Sequence, residues 1–458
     1  LPVLGVSTDI LPVTNSFVNT QGYLGAAPTG INAQWAWTTW PYSANSRGNG
    51  IRLTDLEYAW NIGHEDLGFA AGDVLNGQNL VFGDDHGTAV LGEIIGADNI
   101  YGVTGIANQV DISMFSIGNS PYITNIANAI NTVSNVTLRN GDLMLLELQV
   151  RSIPGQTLDT VACITTDNDL LPVENEPAIF AAIATATANG RIVIEAAANG
   201  GQNLDSFLVA GSGAILVGAG TSAAPHNPLC FSNYGIRVDV QGWGENVVTT
   251  GYGALLNMNN QEYTDSFNGT SSASPIVAGA VANLNGYFKA SISHIGNGNT
   301  NGSGRILDVN AMRTLLKNTG TAQGTNNGTG IPVTDPLHNI GELPNLMNAF
   351  QEGLPIANIT ANGSNGPITV NSGTNVLVNA NLATGGLTGL NSDWWVIAQI
   401  GNTSYYLNSS LQWTTTPSTI FQSNLFNISN FTIFNSSLTT GTYTLYFGVD
   451  TLVNGNLD

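Results

Sequence analysis

The stretch Gly269-Thr270-Ser271-Ser272-Ala273-Ser274-Pro275 leads into a run of small and apolar residues that extends to Ala282. A Gly-Thr-Ser turn that enters such a helix presents one hydroxyl at the mouth of a site, with a backbone N–H beside it. Ser271 is therefore a candidate nucleophile. The alternative is a Ser/Thr-rich cap of an apolar helix, because Ser and Thr are preferred at helix N-termini. A serine becomes a nucleophile only beside a base that a third group orients, so the rest of the chain must decide.

The charge balance of the chain narrows the class of protein. Only 9% of the 458 residues are charged, against about 25% in a typical domain. Ten basic and 31 acidic residues give a net charge of -21, which predicts no binding to nucleic acid. No apolar run reaches the roughly 18 residues of a membrane span. Few carboxylates can be paired with cations, so acidification removes few native interactions, and the composition favours secretion into an acidic medium.

Asn-X-Ser/Thr sequons crowd toward the C-terminus and indicate an extracellular glycoprotein that carries N-linked glycans. They lie at Asn135, Asn268, Asn301, Asn327, Asn358, Asn362, Asn402, Asn408, Asn427, Asn430 and Asn435. Asn268 is expected to stay bare, because a glycan there would cover the turn that carries Ser271. The two cysteines, Cys163 and Cys230, allow one disulfide, which export would permit.

Strand-like runs alternate with helical ones through the first two thirds of the chain. Strands are predicted at 110–117, 143–150, 191–197 and 214–220, and helices at 123–133, 178–188 and 309–317. This alternation predicts an α/β fold, with a parallel sheet that has helices on both faces. Asp55 follows a short apolar run, at a strand end where such a sheet exposes functional groups. His86 begins a helical run, where the alternative to a catalytic base is a capping or packing role.

The composition changes near residue 354, where short apolar runs separated by Asn, Thr, Ser and Gly predict an all-β sandwich. The chain is expected to comprise an N-terminal extension (1–31), an α/β domain (32–352) and the sandwich (353–458). Three tryptophans of the sandwich, Trp394, Trp395 and Trp413, are interpreted as core residues in preference to a carbohydrate-stacking site.

Asp55, His86 and Ser271 follow one another in the order Asp, His, Ser, and each lies in a distinctive local motif. With His86-Gly87-Thr88 and His64-Glu65-Asp66-Leu67, the chain resembles the subtilases, the subtilisin-like serine peptidases, over roughly 32–350. The resemblance implies that Ser271 is the nucleophile, His86 the base and Asp55 the group that orients it. It also implies that the chemistry needs no cofactor. It makes structural calcium plausible without identifying ligands, and residues 450–458 resemble a calcium loop only loosely.

A fourth motif, the strand and turn of residues 192–201, resembles the subtilase segment whose asparagine donates to the oxyanion. It implies that role for Asn199, together with the backbone N–H of Ser271. The alternative for Asn199 is a structural asparagine in a glycine-rich turn.

The chain departs from the subtilase pattern at two places. Asp55-Leu56-Glu57 stands where the family has Asp-Ser/Thr-Gly, so the local turn must differ. Glu147-Leu148-Gln149 replaces the Ser-Leu-Gly segment that walls the S1 pocket. We expect Glu147 and Glu195 to lie at equivalent depths of neighbouring strands and to share a proton, or else to form a buried pair that holds the strands together. The candidate substrate-binding residues are Glu147, Leu148, Gln149, Glu174 and Glu195.

The sequence therefore predicts a secreted serine endopeptidase that acts on protein or peptide substrates. One alternative is a catalytically silent subtilase-like surface glycoprotein whose sandwich domain and glycans do the binding. Another is a sedolisin-like acid peptidase that uses Ser with Glu and Asp. The intact His86-Gly87-Thr88 motif speaks against the sedolisin alternative.

Overall fold

The computed structural model of the chain forms two compact units. The first comprises Leu1–Lys289 and Arg305–Ala349, and the second Ala290–Gly304 and Phe350–Asp458. The three domains expected from the sequence stay a prediction. The residues that the structure describes are 8–39, 45–70, 72–117, 124–159, 167–206, 208, 210–291, 306–325, 338–353, 356–364, 366–384 and 391–450.

A six-stranded parallel sheet forms the centre of the first unit, in the order β2-β1-β3-β6-β7-β8. Its strands are β1 (Arg52–Glu57), β2 (Asp111–Ser116), β3 (Leu143–Leu146), β6 (Ile192–Ala196), β7 (Ile215–Gly220) and β8 (Val240–Trp243). Two short antiparallel pairs accompany it, β4 (Gln149–Arg151) with β5 (Leu170–Pro172) and β9 (Val247–Thr250) with β10 (Tyr263–Phe267). Nearly all residues of the six strands are buried, as expected for a parallel sheet covered on both faces. The α/β prediction is confirmed.

The helices of this unit are α1 (Ala33–Thr38), α2 (Asp85–Ile95), α3 (Thr124–Thr132), α4 (Pro177–Ala188), α5 (Thr270–Ser291), α6 (Val309–Thr319) and α7 (Leu346–Gly353). The strand register decides which of them covers each face of the sheet. Leu56 and Leu146 are paired, and both pack with Ile130 of α3 and Ile183 of α4. Asp55 and Leu145 are the preceding pair and point to the other face. On that face, His86 of α2 contacts Glu57, and Ser274 of α5 contacts Glu147.

Small residues let α5 approach the sheet closely. A Cβ atom built on Gly242 of β8 would lie 2.2 Å from the carbonyl oxygen of Ala273. One built on Gly279 would lie 2.7 Å from Cβ of Ile106. The helix is therefore fixed in depth by backbone contact. Its first turn, which carries Ser271, is fixed with it.

The second unit contains two antiparallel sheets. One has the order β11-β12-β17, and the other the order β15-β14-β13-β16 with β18 paired to β13. The strands are β11 (Ile356–Ala361), β12 (Asn375–Ala383), β13 (Asn391–Ile400), β14 (Thr403–Leu407), β15 (Trp413–Thr414), β16 (Phe421–Asn424), β17 (Ile428–Ser437) and β18 (Tyr443–Asp450). Trp394 and Trp395 are buried, whereas Trp413 is 39% exposed. The β-sandwich prediction is confirmed, and two of its three tryptophans are buried.

Two further expectations can be compared with the structure. Within the described ranges, no helix is both long enough and apolar enough to cross a bilayer. Cys230 is disulfide-bonded, and the other cysteine of the chain, Cys163, lies outside the described residues. The sequons at Asn301 and Asn327 also lie outside them.

Candidate active site

The side chain that orients His86 is Glu57. Nδ1 of His86 lies 2.5 Å from Oε2 of Glu57, a carboxylate that is only 2% exposed. Burial alone would lower the pKa of His86, but the charge of Glu57 and its hydrogen bond outweigh this effect, so the pKa is raised. The hydrogen bond at Nδ1 leaves Nε2 as the nitrogen available for proton transfer. His86 is 35% exposed, so this nitrogen can meet a substrate.

Among the described residues Asp55 makes no hydrogen bond to His86, and the bond expected from Asp55 is made by Glu57 instead. Its Oδ2 accepts a hydrogen bond of 2.7 Å from Nε1 of Trp60. Its Oδ1 has no partner among the described residues. Burial, reinforced by the charge of Glu57, raises the pKa of Asp55 to about 8. A carboxyl group with so high a pKa is mostly protonated at neutral pH, so Asp55 contributes less to the raised pKa of His86 than Glu57 does.

The length of β1 explains why Glu57, and not Asp55, holds His86. The strand continues through Leu56 to Glu57, so Glu57 and not Asp55 stands at its carboxyl end. Residues two apart on a strand point to the same face, so both acids point toward α2. The departure from the family pattern at Asp55-Leu56-Glu57 was visible in the sequence. A prediction that β1 ends at Glu57, two residues after Asp55, would have identified Glu57 as the orienting acid.

Ser271 and Asn199 are brought together by the turn that begins α5. Oδ1 of Asn199 accepts hydrogen bonds from the backbone N and Oγ1 of Thr270, at 2.9 and 3.1 Å. These bonds orient the side-chain amide, whose Nδ2 donates to Oε1 of Gln149 at 3.4 Å. A Cβ atom built on Gly269 would lie 3.5 Å from Nδ2 of Asn199 and 3.6 Å from the backbone N of Ser271. Both donors therefore lie close to Gly269, whose φ of +97° is a backbone conformation that favours glycine.

Glu147 lies beneath this turn and not on an open pocket wall. It follows β3 directly, on the same face of the sheet as Asp55 and Glu57, and it is 4% exposed. Oγ of Ser274 lies 2.6 Å from Oε1 of Glu147. Glu93 of α2 is close enough to Glu147 for the two charges to interact. It is fully buried, and its carboxyl oxygens have no hydrogen-bond partner among the described residues. Burial raises the pKa of Glu93 well above its usual range, and the charge of Glu147 adds to the effect.

These four side chains, Asp55, Glu57, Glu93 and Glu147, are called the triad-side cluster below. Glu93 was not among the candidates from the sequence. It stands seven residues after His86 on α2, within the apolar run Ala89 to Ile95, so both lie on one helix face. A single charged residue in a buried apolar helix was the signal that could have identified it.

The expected pairing of Glu147 with Glu195 is wrong. Leu146, not Glu147, is opposite Glu195 in the parallel ladder, and a shift of one residue places the two glutamates on opposite faces of the sheet. Glu195 instead accepts a hydrogen bond from the backbone N of Glu174, at 2.9 Å. Burial raises the pKa of Glu195, and the charge of Glu174 raises it further.

Glu174 is part of a buried ion-pair network and not of a pocket rim. Arg237 donates to both of its carboxyl oxygens, at 2.6 and 2.7 Å. Arg237 also pairs with Asp239 at 3.0 Å, and Arg313 approaches the same carboxylate at 3.2 Å. Glu174 and Glu195 have almost no exposed surface, so neither can contact a substrate directly. We call Glu174, Glu195, Arg237, Asp239 and Arg313 the arginine-paired cluster.

The other two candidates for substrate contact lie between these clusters. Leu148 is buried, whereas Gln149 is exposed at the start of β4. Oε1 of Gln149 accepts a hydrogen bond of 3.2 Å from the backbone N of Asn199. Gln149 thus touches Asn199 at both its backbone and its side-chain nitrogen. It is the one residue of the Glu147-Leu148-Gln149 segment that is exposed.

Comparison with known proteins gives one family. The model of the subtilase family matches residues 61–332, more than half of the chain. This chain belongs to the subtilase family. It is 28% identical over 303 residues to alkaline elastase YaB of Bacillus sp. (strain YaB), covering 62% of this chain and 70% of that protein. It is 26% identical over 283 residues to subtilisin Savinase of Lederbergia lenta, covering 58% of this chain and 92% of that protein.

In this subtilase, a polar cavity of about 400 Å³ opens beside the first turn of α2, which carries His86. It is lined by Asp84 and Asp85, which directly precede His86, and by Glu262, Tyr252 and Asn61 among others. Within the described part of the chain, no group of three or more His, Cys, Asp or Glu side chains is arranged to hold a metal ion. Residues 451–458 of the loose calcium-loop pattern lie outside the described residues. The calcium expectation stays a prediction.

Proposed function

We propose that this subtilase is a serine endopeptidase in which Ser271 is the nucleophile, His86 the base and Glu57 the group that orients His86. The hydrogen bond of 2.5 Å between Nδ1 of His86 and Oε2 of Glu57 carries the proposal. A base held by a buried carboxylate at one nitrogen, with its other nitrogen free, is the arrangement that activates a serine hydroxyl. The closeness of Asn199 Nδ2 and Ser271 N to Gly269 supports an oxyanion hole beside this glycine.

The mechanism follows from these positions. Oγ of Ser271 attacks the scissile carbonyl carbon while its proton passes to Nε2 of His86. The carbonyl oxygen gains negative charge and is stabilised by Asn199 Nδ2 and Ser271 N–H. His86 then gives its proton to the leaving amine, which breaks the C–N bond and leaves an acyl-enzyme. Water, deprotonated by His86, hydrolyses the acyl-enzyme and restores Ser271. Glu57 keeps Nδ1 protonated throughout and balances the charge of the imidazolium.

We also propose that the protein is a secreted glycoprotein whose fold is adapted to acid. The disulfide at Cys230 and the net charge of -21 support export to an acidic, oxidising environment. Several sequon asparagines are exposed and accessible to a glycosyltransferase. They are Asn135, Asn362, Asn402, Asn427, Asn430 and Asn435. Asn268 is exposed as well, and we retain the expectation that it stays bare.

Acid adaptation of the fold differs from acid adaptation of the chemistry. The raised pKa of His86 requires a higher pH for the neutral, basic form of the imidazole. The buried carboxyls of Asp55, Glu93 and Glu147 have raised pKa values and favour the protonated state, which favours folding at low pH. The proposed enzyme therefore tolerates acid better than it works in acid. Its substrates are polypeptides, and the exposed Gln149 is the proposed contact beside the scissile bond.

The test is covalent labelling of the nucleophile. A fluorophosphonate should label the wild-type chain, and Ser271→Ala should abolish labelling and lower kcat for a peptide substrate by about a millionfold. Ser206→Ala is the matched control, because Ser206 is exposed at the end of a short 3-10 helix (Leu204–Ser206). Absence of labelling in the wild type at every pH between acid and neutral would favour the catalytically silent alternative. A sedolisin-like mechanism would instead leave activity after His86→Ala.

A further inference from the structure

The first turn of α5 makes a contact that a proton on Glu147 satisfies fully. Oγ of Ser274 lies 2.8 Å from the carbonyl oxygen of Thr270 and 2.6 Å from Oε1 of Glu147. A serine hydroxyl has one proton to donate, and a carbonyl oxygen can only accept. Helical serines commonly give that proton to the carbonyl four residues earlier. With an ionised Glu147 the one proton of Ser274 is shared between two acceptors, whereas a neutral Glu147 that donates to Ser274 gives two full hydrogen bonds.

The surroundings of Glu147 favour the neutral form. Burial raises the pKa of Glu147 well above its usual range and outweighs the opposing effect of the Ser274 hydroxyl, and the charges of Asp55 and Glu57 raise it further. The ionisable groups that face it are Asp55 and Glu57 from β1, and Glu93 from α2. Neither Lys nor Arg forms an ion pair with the four carboxyls of the triad-side cluster in the described part of the chain.

Glu147 also interacts with the nucleophile itself. The hydroxyl of Ser271 stabilises the ionised form of Glu147 and thereby lowers the pKa of the carboxyl. Oε2 of Glu147 makes no hydrogen bond of ordinary geometry within the described ranges, so it is free to accept one. The single proton of Ser271 can go to His86 or to Glu147, but not to both. An ionised Glu147 is the stronger acceptor and also adds negative charge close to the oxyanion.

We infer that Glu147 is a positioning residue: as a neutral acid it fixes the Ser274 turn and leaves the Ser271 hydroxyl to His86, whereas its ionisation draws that hydroxyl away. The inference rests on the proposed function, because it assigns Ser271 and His86 their roles. Glu147 was expected to contribute to substrate specificity, and the inference assigns it a role in orienting Ser271 instead. The pH range of activity is then bounded below by the protonation of His86 and above by the ionisation of Glu147.

The experiment is a comparison of pH profiles. For the wild type, kcat should fall about tenfold per pH unit above the pKa of Glu147, since only one ionisation is involved. Glu147→Gln keeps the size and a neutral donor, so this alkaline fall should be absent or move upward. Glu147→Leu is neutral but cannot donate, and it should lower kcat about tenfold with KM unchanged, the scale of one neutral hydrogen bond. Asp55→Asn is the matched control, and its profile should keep the alkaline fall.

Three outcomes would overturn the inference. They are an alkaline fall at the same pH in Glu147→Gln as in the wild type, loss of the fall in Asp55→Asn, and a change of KM alone in Glu147→Leu. The proposed function is tested separately by fluorophosphonate labelling of the wild type at one acid pH. Labelling with an unmoved alkaline fall rejects the positioning role only, whereas absent labelling rejects the nucleophile and the inference with it.

A second measurement does not depend on activity. The infrared difference spectrum between the wild type and Glu147→Gln at neutral pH should contain the carbonyl stretch of a protonated carboxylic acid. A carboxylate band in its place would show that Glu147 is ionised and would contradict the inference. Circular dichroism of both proteins at the same pH confirms that the variant is folded.

Discussion

Two clusters of buried acids lie on opposite faces of one sheet, and they solve the problem of burying charge in different ways. The triad-side cluster has four carboxyls, and the one basic side chain that pairs with it within the described ranges is His86. The arginine-paired cluster matches Glu174 and Asp239 with Arg237, which is only 8% exposed, and with Arg313. Burying a carboxylate without a partner is costly, so Asp55, Glu93 and Glu147 of the first cluster favour the protonated state, whereas Glu174 and Asp239 of the second are paired with arginines.

The difference suggests separate roles for the two clusters: the triad-side cluster responds to pH near the proposed nucleophile, and the arginine-paired cluster stabilises the fold. Protonated carboxyls can exchange protons with their surroundings, so the triad-side cluster responds to pH near Ser271 and His86. The arginine-paired cluster contains guanidinium groups, which do not titrate in any relevant range, and it fixes the segments that carry Glu174 and Asp239. The variants below test this contrast between the two faces.

The largest expected effect is on catalysis within the triad-side cluster, where Glu57 and Asp55 are compared. Glu57→Gln keeps a hydrogen bond to Nδ1 of His86 but can impose the wrong tautomer and removes the charge. It should lower kcat by about ten thousandfold, as when a triad carboxylate becomes an amide. Asp55→Asn should stay within about tenfold of the wild type, because Asp55 is already mostly neutral at pH 7. Peptide hydrolysis at neutral pH measures both.

The reverse order of effects would restore Asp55 as the orienting acid. Glu57→Asp is a useful third variant, because it retains the charge on a side chain one methylene shorter. It should recover part of the activity that Glu57→Gln loses. Equal activity of Glu57→Asp and Glu57→Gln would mean that the charge at this position has no role.

Removal of the central cation of the second cluster should have the next largest effect. Arg237→Met leaves Glu174 and Asp239 buried and should lower the free energy of unfolding by about 3–5 kcal/mol at neutral pH. At low pH the loss should be smaller, since protonation removes the uncompensated charge. Urea denaturation at the two pH values measures the difference. Arg151→Met is the matched control, since Arg151 is 63% exposed and its ion pairs contribute little. Equal losses in the two variants would mean that the second cluster is not stabilised by its buried cation.

The comparison of the two faces also explains what the sequence could predict. The alternation of strands and helices predicted the parallel sheet. The motifs around His86, Asn199 and Ser271 identified the residues of the proposed mechanism, of which the structure places Asn199 in hydrogen-bond contact with the first turn of α5. The identity of the orienting acid depended on where β1 ends, and the apolar Leu56 between two acids left that end undefined. The pairing of Glu147 depended on the register of β3 and β6, which long connections set. A shift of that register by one residue would place Glu147 opposite Glu195, on the same face of the sheet.

The smallest expected effect, taken per pH unit, is the pH dependence of stability that Asp55 produces. The pKa of Asp55 is raised to about 8 in the folded protein, from about 3.9 in an unfolded chain. Between these values the folded state holds a proton that the unfolded state releases. The contribution is therefore fully present below about pH 4 and is lost as the pH rises through about 8. The free energy of unfolding should fall by about 1.4 kcal/mol per pH unit in this window for each such group.

Asp55→Asn should flatten that slope by the share of one group, because an amide does not titrate and still accepts the hydrogen bond from Trp60. Urea denaturation of the wild type and the variant at several pH values between 4 and 8 gives both slopes. Asp239→Asn is the control from the other face. It removes a carboxylate that is paired with Arg237 and Arg313, so it should lower stability without removing the slope. A wild-type protein that gains stability from acid to neutral pH would show that the triad-side carboxyls are ionised in the fold, and the contrast between the two faces would be lost.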